Sequence, residues 1–189
     1  MLEIIPNWHP IFVHLTVGIY SAAFGFYVLA YITRLLNFVR LTIATELEVA
    51  GRWCLWAASL SAIITVVAGF YAFNTVSHDG ASHMAMIDHR NWAVPTAIAI
   101  ALVALWSGWR NYKRKALSLS FIIALLVIQG MLVGTAWRGA ELVFRHGLGV
   151  MSLPKAEGEG HHHHDGMDMP MEGSSMPSTH HDDGHSHSE

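Results

Sequence analysis

A single cysteine, Cys54, is all the thiol the chain carries, so an internal disulfide and a thiolate-only metal site are both excluded. Charge is equally scarce. Only 13% of residues are Asp, Glu, Lys or Arg, against about a quarter in a typical soluble domain, while 52% are hydrophobic. The formal net charge of −3 provides no basic footprint for a nucleic-acid partner. Catalytic signatures are missing as well: there is no HExxH, no glycine-rich phosphate loop and no readable Ser-His-Asp or Cys-His arrangement. No catalytic residue is therefore assigned. Met1–Trp8 contains Glu3 but neither Lys nor Arg. A cleaved signal peptide opens with a basic stretch, so the first apolar run is read as a retained membrane span.

What the chain does contain is four long apolar runs, at about 10–33, 53–73, 92–109 and 116–137. A helix needs roughly 20 apolar residues to cross the hydrocarbon core, and only helices or closed barrels satisfy their backbone there. The expected architecture is all-α: a four-helix transmembrane bundle, up-down-up-down, over residues 1–150. A disordered His/Met-rich tail over 151–189 is expected to follow it. Gly18, Ser21, Ala22 and Gly25 on the first helix, with the Gly130–Gly134 pair on the fourth, predict close helix packing and leave room for a homo-oligomer. Glu141 is placed beyond the end of the fourth helix.

Four spans put both termini and the second loop on one side. The opposite side gathers Arg34, Arg40, Arg52, Arg110, Lys113, Arg114 and Lys115, and the termini side holds only Arg90, Arg138, Arg145 and Lys155. The positive-inside rule makes the first set cytoplasmic. The expectation is a bacterial inner membrane, with both termini periplasmic. Trp8, Trp92 and Trp137 then fall at the outer boundary, and Trp53, Trp106 and Trp109 at the inner one.

This topology places every histidine on the outer side. His9 precedes the first helix and His14 lies one turn inside it. His78, His83 and His89 fall in the second loop, and His146 follows the fourth helix. In a cyclic arrangement the first and third helices sit diagonally. His14 is therefore expected to face His89 across the bundle, as the two axial ligands of a haem b. His9 and His146 form a second candidate pair. Arg138 and Arg145 are candidate partners for the haem propionates through charge-assisted hydrogen bonds.

The segments "HPIFVHLTVG", "DHRNWA" and "GAELVFRHGLGV" resemble the signature stretches of a bacterial inner-membrane family known only as a domain of unknown function (2231). Its members read roughly HPxxVHFPIG near the start and GxLVYRHGVGV after the last helix. The resemblance covers about Trp8 to Val150 and maps onto His9, Pro10, His14, Gly18, His146 and Gly147. It implies four helices and no particular activity. Leu15-Thr16 stands where the family commonly has Phe-Pro, and Phe144 where it commonly has Tyr.

The tail interleaves imidazole and thioether: His161, His162, His163 and His164, then Met167, Met169, Met171 and Met176, then His180, His181, His185 and His187. Thioether favours Cu(I), and imidazole also suits Cu(II), Zn(II) and Ni(II). "HMAMIDH" echoes the pattern with His83, Met84, Met86 and His89. Three readings follow. The chain is a haem b or other redox-metal membrane protein with a membrane or periplasmic redox partner, a copper-handling protein without haem, or an accessory structural subunit of the bilayer. Transport finds little support, because no paired carboxylate lies within the spans.

Overall fold

Every backbone N–H and C=O in a lipid layer needs a partner within the protein, and the apolar runs meet that demand as helices. The computed structural model describes residues 7–36, 41–76 and 78–150. They form α1 (His9–Leu36), α2 (Leu41–Thr75), α3 (Gly80–Tyr112) and α4 (Leu119–His146), with no strand among the described residues. All four are long and apolar enough to cross a membrane. The expected all-α, four-helix class is what the chain adopts.

The helices outlast their apolar runs. Helices of 28 to 35 residues are about 42 to 52 Å long, against a hydrocarbon core of about 30 Å. α2 starts at Leu41 rather than near Trp53, because Glu46, Glu48 and Arg52 interrupt apolarity without interrupting helix. α3 starts at Gly80 rather than near Trp92. Asp79 caps it: its carboxylate accepts from the Ser82 backbone N–H (2.8 Å) and hydroxyl (2.5 Å). These two bonds, and then the nearby His146, hold the exposed Asp79 carboxyl below its ordinary range. α4 runs to His146, so Glu141 is helical and pairs with Arg145 at 2.8 Å. Gly147 ends it at φ 61°, with N–H bonds from Gly147 and Leu148 back to Val143 and Leu142.

Around the ring, α1 packs on α2, α2 on α3, α3 on α4 and α4 on α1, which leaves α1 and α3 diagonal. Tyr20, Tyr27, Leu55, Ile100, Phe121 and Leu125 fill the interior; Ala23, Ala30, Ala58, Ala62 and Ala104 let the backbones approach. Leu29, Leu60, Val67, Leu102, Leu105 and Val127 face outward, as a lipid solvent requires.

Interior polar groups are paired across helices. Thr16 bonds Ser61 and Thr65, both at 2.8 Å. The Tyr20 hydroxyl donates to the Leu125 carbonyl at 3.0 Å, and Tyr27 meets Ser107 at 2.7 Å across the diagonal. Thr96 and Thr135 join α3 to α4 at 3.1 Å. Each such bond contributes about 0.6 kcal/mol on average in a membrane bundle.

Of the glycines expected to mediate packing, Gly134 does so and Gly18, Gly25 and Gly130 do not. A Cβ on Gly18, Gly25 or Gly130 would meet nothing within 4 Å, because these residues lie away from the helix crossings. Gly134 does sit close to a neighbour, with Trp92 3.4 Å from its added Cβ. Gly51 is tighter, with the Tyr27 ring 3.0 Å from an added Cβ. Gly51→Leu should therefore destabilise the bundle by about 1–3 kcal/mol through overpacking, whereas Gly130→Leu should leave it unchanged. Equilibrium unfolding in detergent micelles measures both, and equal effects would contradict this account of the α1–α2 contact.

Candidate histidine site

The inner face of α1 is marked by Thr16, Tyr20, Ala23, Tyr27 and Ala30. His9 lies seven residues before Thr16, two turns back on the same face, and so enters the bundle. His14, two residues before Thr16, is carried to the opposite side, where it is exposed. Its Nδ1–H donates to the Pro10 carbonyl one turn back, at 2.6 Å. On α3 the buried positions Ser82, Thr96 and Val103 follow a seven-residue repeat, and His89 falls in the same register.

The structure thus brings together His9 and His89, not His14 and His89. Their ring centroids are 6.3 Å apart, with the planes at 82°. His9 Nδ1 lies 3.0 Å from the Thr65 carbonyl on α2. A carbonyl only accepts, so Nδ1 carries the proton and Nε2 keeps its lone pair. Glycine backbones lie behind both rings. A Cβ on Gly69 would sit 2.9 Å from His9 Cε1, and one on Gly139 would sit 3.2 Å from His89 Cε1. The Thr135 carbonyl lies near the His89 ring. His89 Nδ1 is nonetheless shielded from water without a well-formed hydrogen bond among the described residues.

Arg138 borders the pair from α4. It donates to Asp88 Oδ2 at 2.7 Å and to the Gly134 carbonyl at 3.1 Å, and its guanidinium lies 4.0 Å from the Trp92 ring centre. Arg145 is instead exposed and paired to Glu141. His146 ends α4 beside Asp79, and the structure does not pair it with His9.

A second histidine contact lies nearby. His78 Nε2 and His83 Nδ1 are 2.9 Å apart, stacked within 7°, with Phe73 beside both. His83 and His89 lie on α3 rather than in a loop, because the Asp79 cap starts the helix early. The "HMAMIDH" residues do not converge: Met86 is buried and Met84 is 65% exposed, on different faces of α3. No group of three or more His, Cys, Asp or Glu side chains is placed to hold a metal ion among the described residues. The tail ligands His161–His164, Met167, Met169, Met171, Met176, His180, His181, His185 and His187 lie outside the described residues.

The family model described as "Predicted membrane protein (DUF2231)" matches residues 6–152, and the chain belongs to that family. No curated protein and no solved structure matches it.

Gly69→Ala should push the ring away and break the His9–Thr65 hydrogen bond. Ring ¹⁵N spectra of histidine-labelled protein should then show His9 changing from a fixed Nδ1–H tautomer to a mixture. An unchanged His9 signal in the variant would mean the glycine does not hold the ring.

Proposed function

We propose that this member of the family is a membrane redox protein in which His9 and His89 would hold one haem b, which would supply one-electron transfer. The observation that carries the reading is their placement: two rings from diagonal helices with centroids 6.3 Å apart. Two imidazoles bound to one metal at about 2.0–2.1 Å per bond have ring centres roughly 6 Å apart when they approach from opposite sides. A ligating histidine usually donates its other ring N–H to a carbonyl or carboxylate, which is the role Thr65 plays for His9.

Ligand number favours haem over a bare ion. With no third protein ligand converging among the described residues, a lone ion would keep most of its coordination sphere open. Porphyrin nitrogens fill four positions and leave two for imidazoles. When bound, the haem supplies one-electron transfer. The chain's own residues hold the rings: Thr65 fixes the tautomer of His9, and Gly69 and Gly139 let the rings lie against helix backbone. Arg138, already engaged by Asp88, is the cation best placed for a propionate.

Membrane orientation is part of the same reading. The Arg/Lys bias supports a bacterial inner membrane with both termini, and therefore the histidine end, on the periplasmic side. A periplasmic or membrane redox partner would exchange electrons there. C-terminal fusions to alkaline phosphatase and to green fluorescent protein read this directly. Phosphatase activity without fluorescence is expected, and the reverse pattern would invert the topology.

The copper reading keeps one observation of its own, the interleaved His and Met of residues 161–187. Optical spectra separate the two. Protein expressed with ample haem and purified in detergent should show a Soret band and a sharp α band on dithionite reduction. His9→Ala and His89→Ala should each lose the reduced α band, and His14→Ala should keep it. A colourless wild type, or a loss confined to His14→Ala, would overturn the haem proposal. Deletion of 151–189 abolishing Cu(I) binding by a colourless protein would then favour copper handling.

A further inference from the structure

The end of the bundle opposite the histidines carries a different chemistry. A cleft of about 470 Å³ opens between the end of α1, the start of α2 and the α3–α4 connection, lined by Arg34, Glu48, Arg52, Asn111, Arg114 and Lys115. Four cations thus face one carboxylate. Glu48 is engaged by Arg34 at 2.7 Å, and Asn111 accepts from Arg52 Nη1 at 2.6 Å. Those bonds leave donors over: Arg34 Nε and Arg52 Nε are shielded from water and unpaired among the described residues. Shielded donors of this kind are rare, and two on residues of one cleft leave this end of the bundle short of acceptors.

The backbone supplies a second observation. Arg114 has φ 50°, the left-handed conformation that glycine occupies at helix ends. Lys115 N–H closes the turn onto the Arg110 carbonyl at 3.0 Å. A glycine would terminate α3 with less strain, yet the position holds an arginine that lines the cleft. Arg110 is not available to a ligand: it is buried, donates to the Ala116 carbonyl at 2.6 Å and lies 4.4 Å from the Phe121 ring centre.

The surroundings are amphipathic. Leu35, Leu36, Trp53, Trp109 and Tyr112 are exposed at this end of the helices. Exposed Trp and Tyr beside basic residues mark headgroup depth, and basic pockets between transmembrane helices suit anionic headgroups. A free anion would make no use of the apolar rim, whereas acyl chains would lie along it.

We propose that this cleft binds the phosphate-bearing headgroup of an anionic phospholipid, with the acyl chains on the adjoining apolar helix faces. The site is independent of the histidine pair and of which leaflet it occupies.

Native mass spectrometry of the full-length protein, released from detergent with phosphatidylglycerol or phosphatidylcholine, tests the proposal. Phosphatidylglycerol should be retained preferentially. Arg114→Gly and Lys115→Gln should each reduce its retention about fivefold, the effect of one cation near an anionic surface. Arg114→Gly should also unfold no more easily than wild type, because glycine suits φ 50°, so lost lipid would not reflect lost fold. Should that variant misfold, Lys115→Gln carries the test alone. Lys113→Gln, which removes a cation from the same connection but not from the cleft, should retain lipid like wild type. Equal retention of the two lipids would overturn the proposal. So would an equal loss in Lys113→Gln, which would indicate diffuse attraction. Displacement of the lipid by millimolar inorganic phosphate would also overturn it, assigning the cleft to a free anion.

Discussion

A polar atom inside the hydrocarbon layer has no water to turn to, and the bundle is arranged around that constraint. Thr16, Ser61, Thr65, Tyr20, Tyr27, Ser107, Thr96 and Thr135 all find partners on neighbouring or diagonal helices. Between them, alanines at the crossings bring the backbones close enough for hydroxyl groups to reach. The Tyr27 side chain is long enough to reach Ser107 across the diagonal. Packing and polar pairing therefore depend on each other: widening the α1–α2 crossing at Gly51 would displace the Tyr27 ring that makes this bond.

Helices longer than the bilayer core give the molecule two polar ends, and these differ in kind. One end concentrates imidazole, with carboxylates and Arg138 alongside. The other concentrates guanidinium and ammonium groups around a single engaged carboxylate. Imidazole nitrogen suits a transition metal, whereas guanidinium suits a phosphate. The core between them is apolar apart from internally paired polar groups such as Thr16–Ser61 and Ser21–Gln129, so neither end draws its ligands from the other.

The four spans were legible in the sequence because twenty apolar residues in a row have few other uses. Helix ends were not, since Glu46, Glu48, Arg52, His83, Asp88 and His89 interrupt hydropathy without interrupting helix. The same bias misdirected the histidine pairing. Depth within the apolar run singled out His14, but rotation about the helix axis decides which side chain enters the bundle. Five residues separate His9 from His14, roughly 500° of rotation, so only one of them can face inward. The signal was present in the register: His9 is in step with Thr16, Ala23 and Ala30, and His89 with Ser82, Thr96 and Val103. The glycine contacts show the opposite limit. GxxxG reports that two backbones can approach, but only the tertiary arrangement shows that Gly51, Gly69 and Gly139 meet a neighbour while Gly130 meets none.

The same register bears on whether the histidine pair is merely structural. Along α2 the inward positions Leu55, Ala58, Ala62, Thr65, Gly69 and Ala72 alternate by three and four residues, as a packed seam does. Near the histidine end the seam gives up volume at Gly69, and α4 does so at Gly139; imidazoles occupy the space. A bundle built for stability alone would gain more by placing Leu or Ile there, with no polar atom to satisfy. The present arrangement keeps a shielded His89 Nδ1 that has the Thr135 carbonyl nearby but no well-formed hydrogen bond. Local departures from good packing and good pairing coincide at functional sites more often than elsewhere, because there the geometry serves a ligand rather than the fold. Here the glycine clearances, the fixed His9 tautomer and the under-satisfied His89 ring all fall on one pair of side chains. That coincidence argues for a bound partner at this end of the bundle more strongly than any one of the three features does alone.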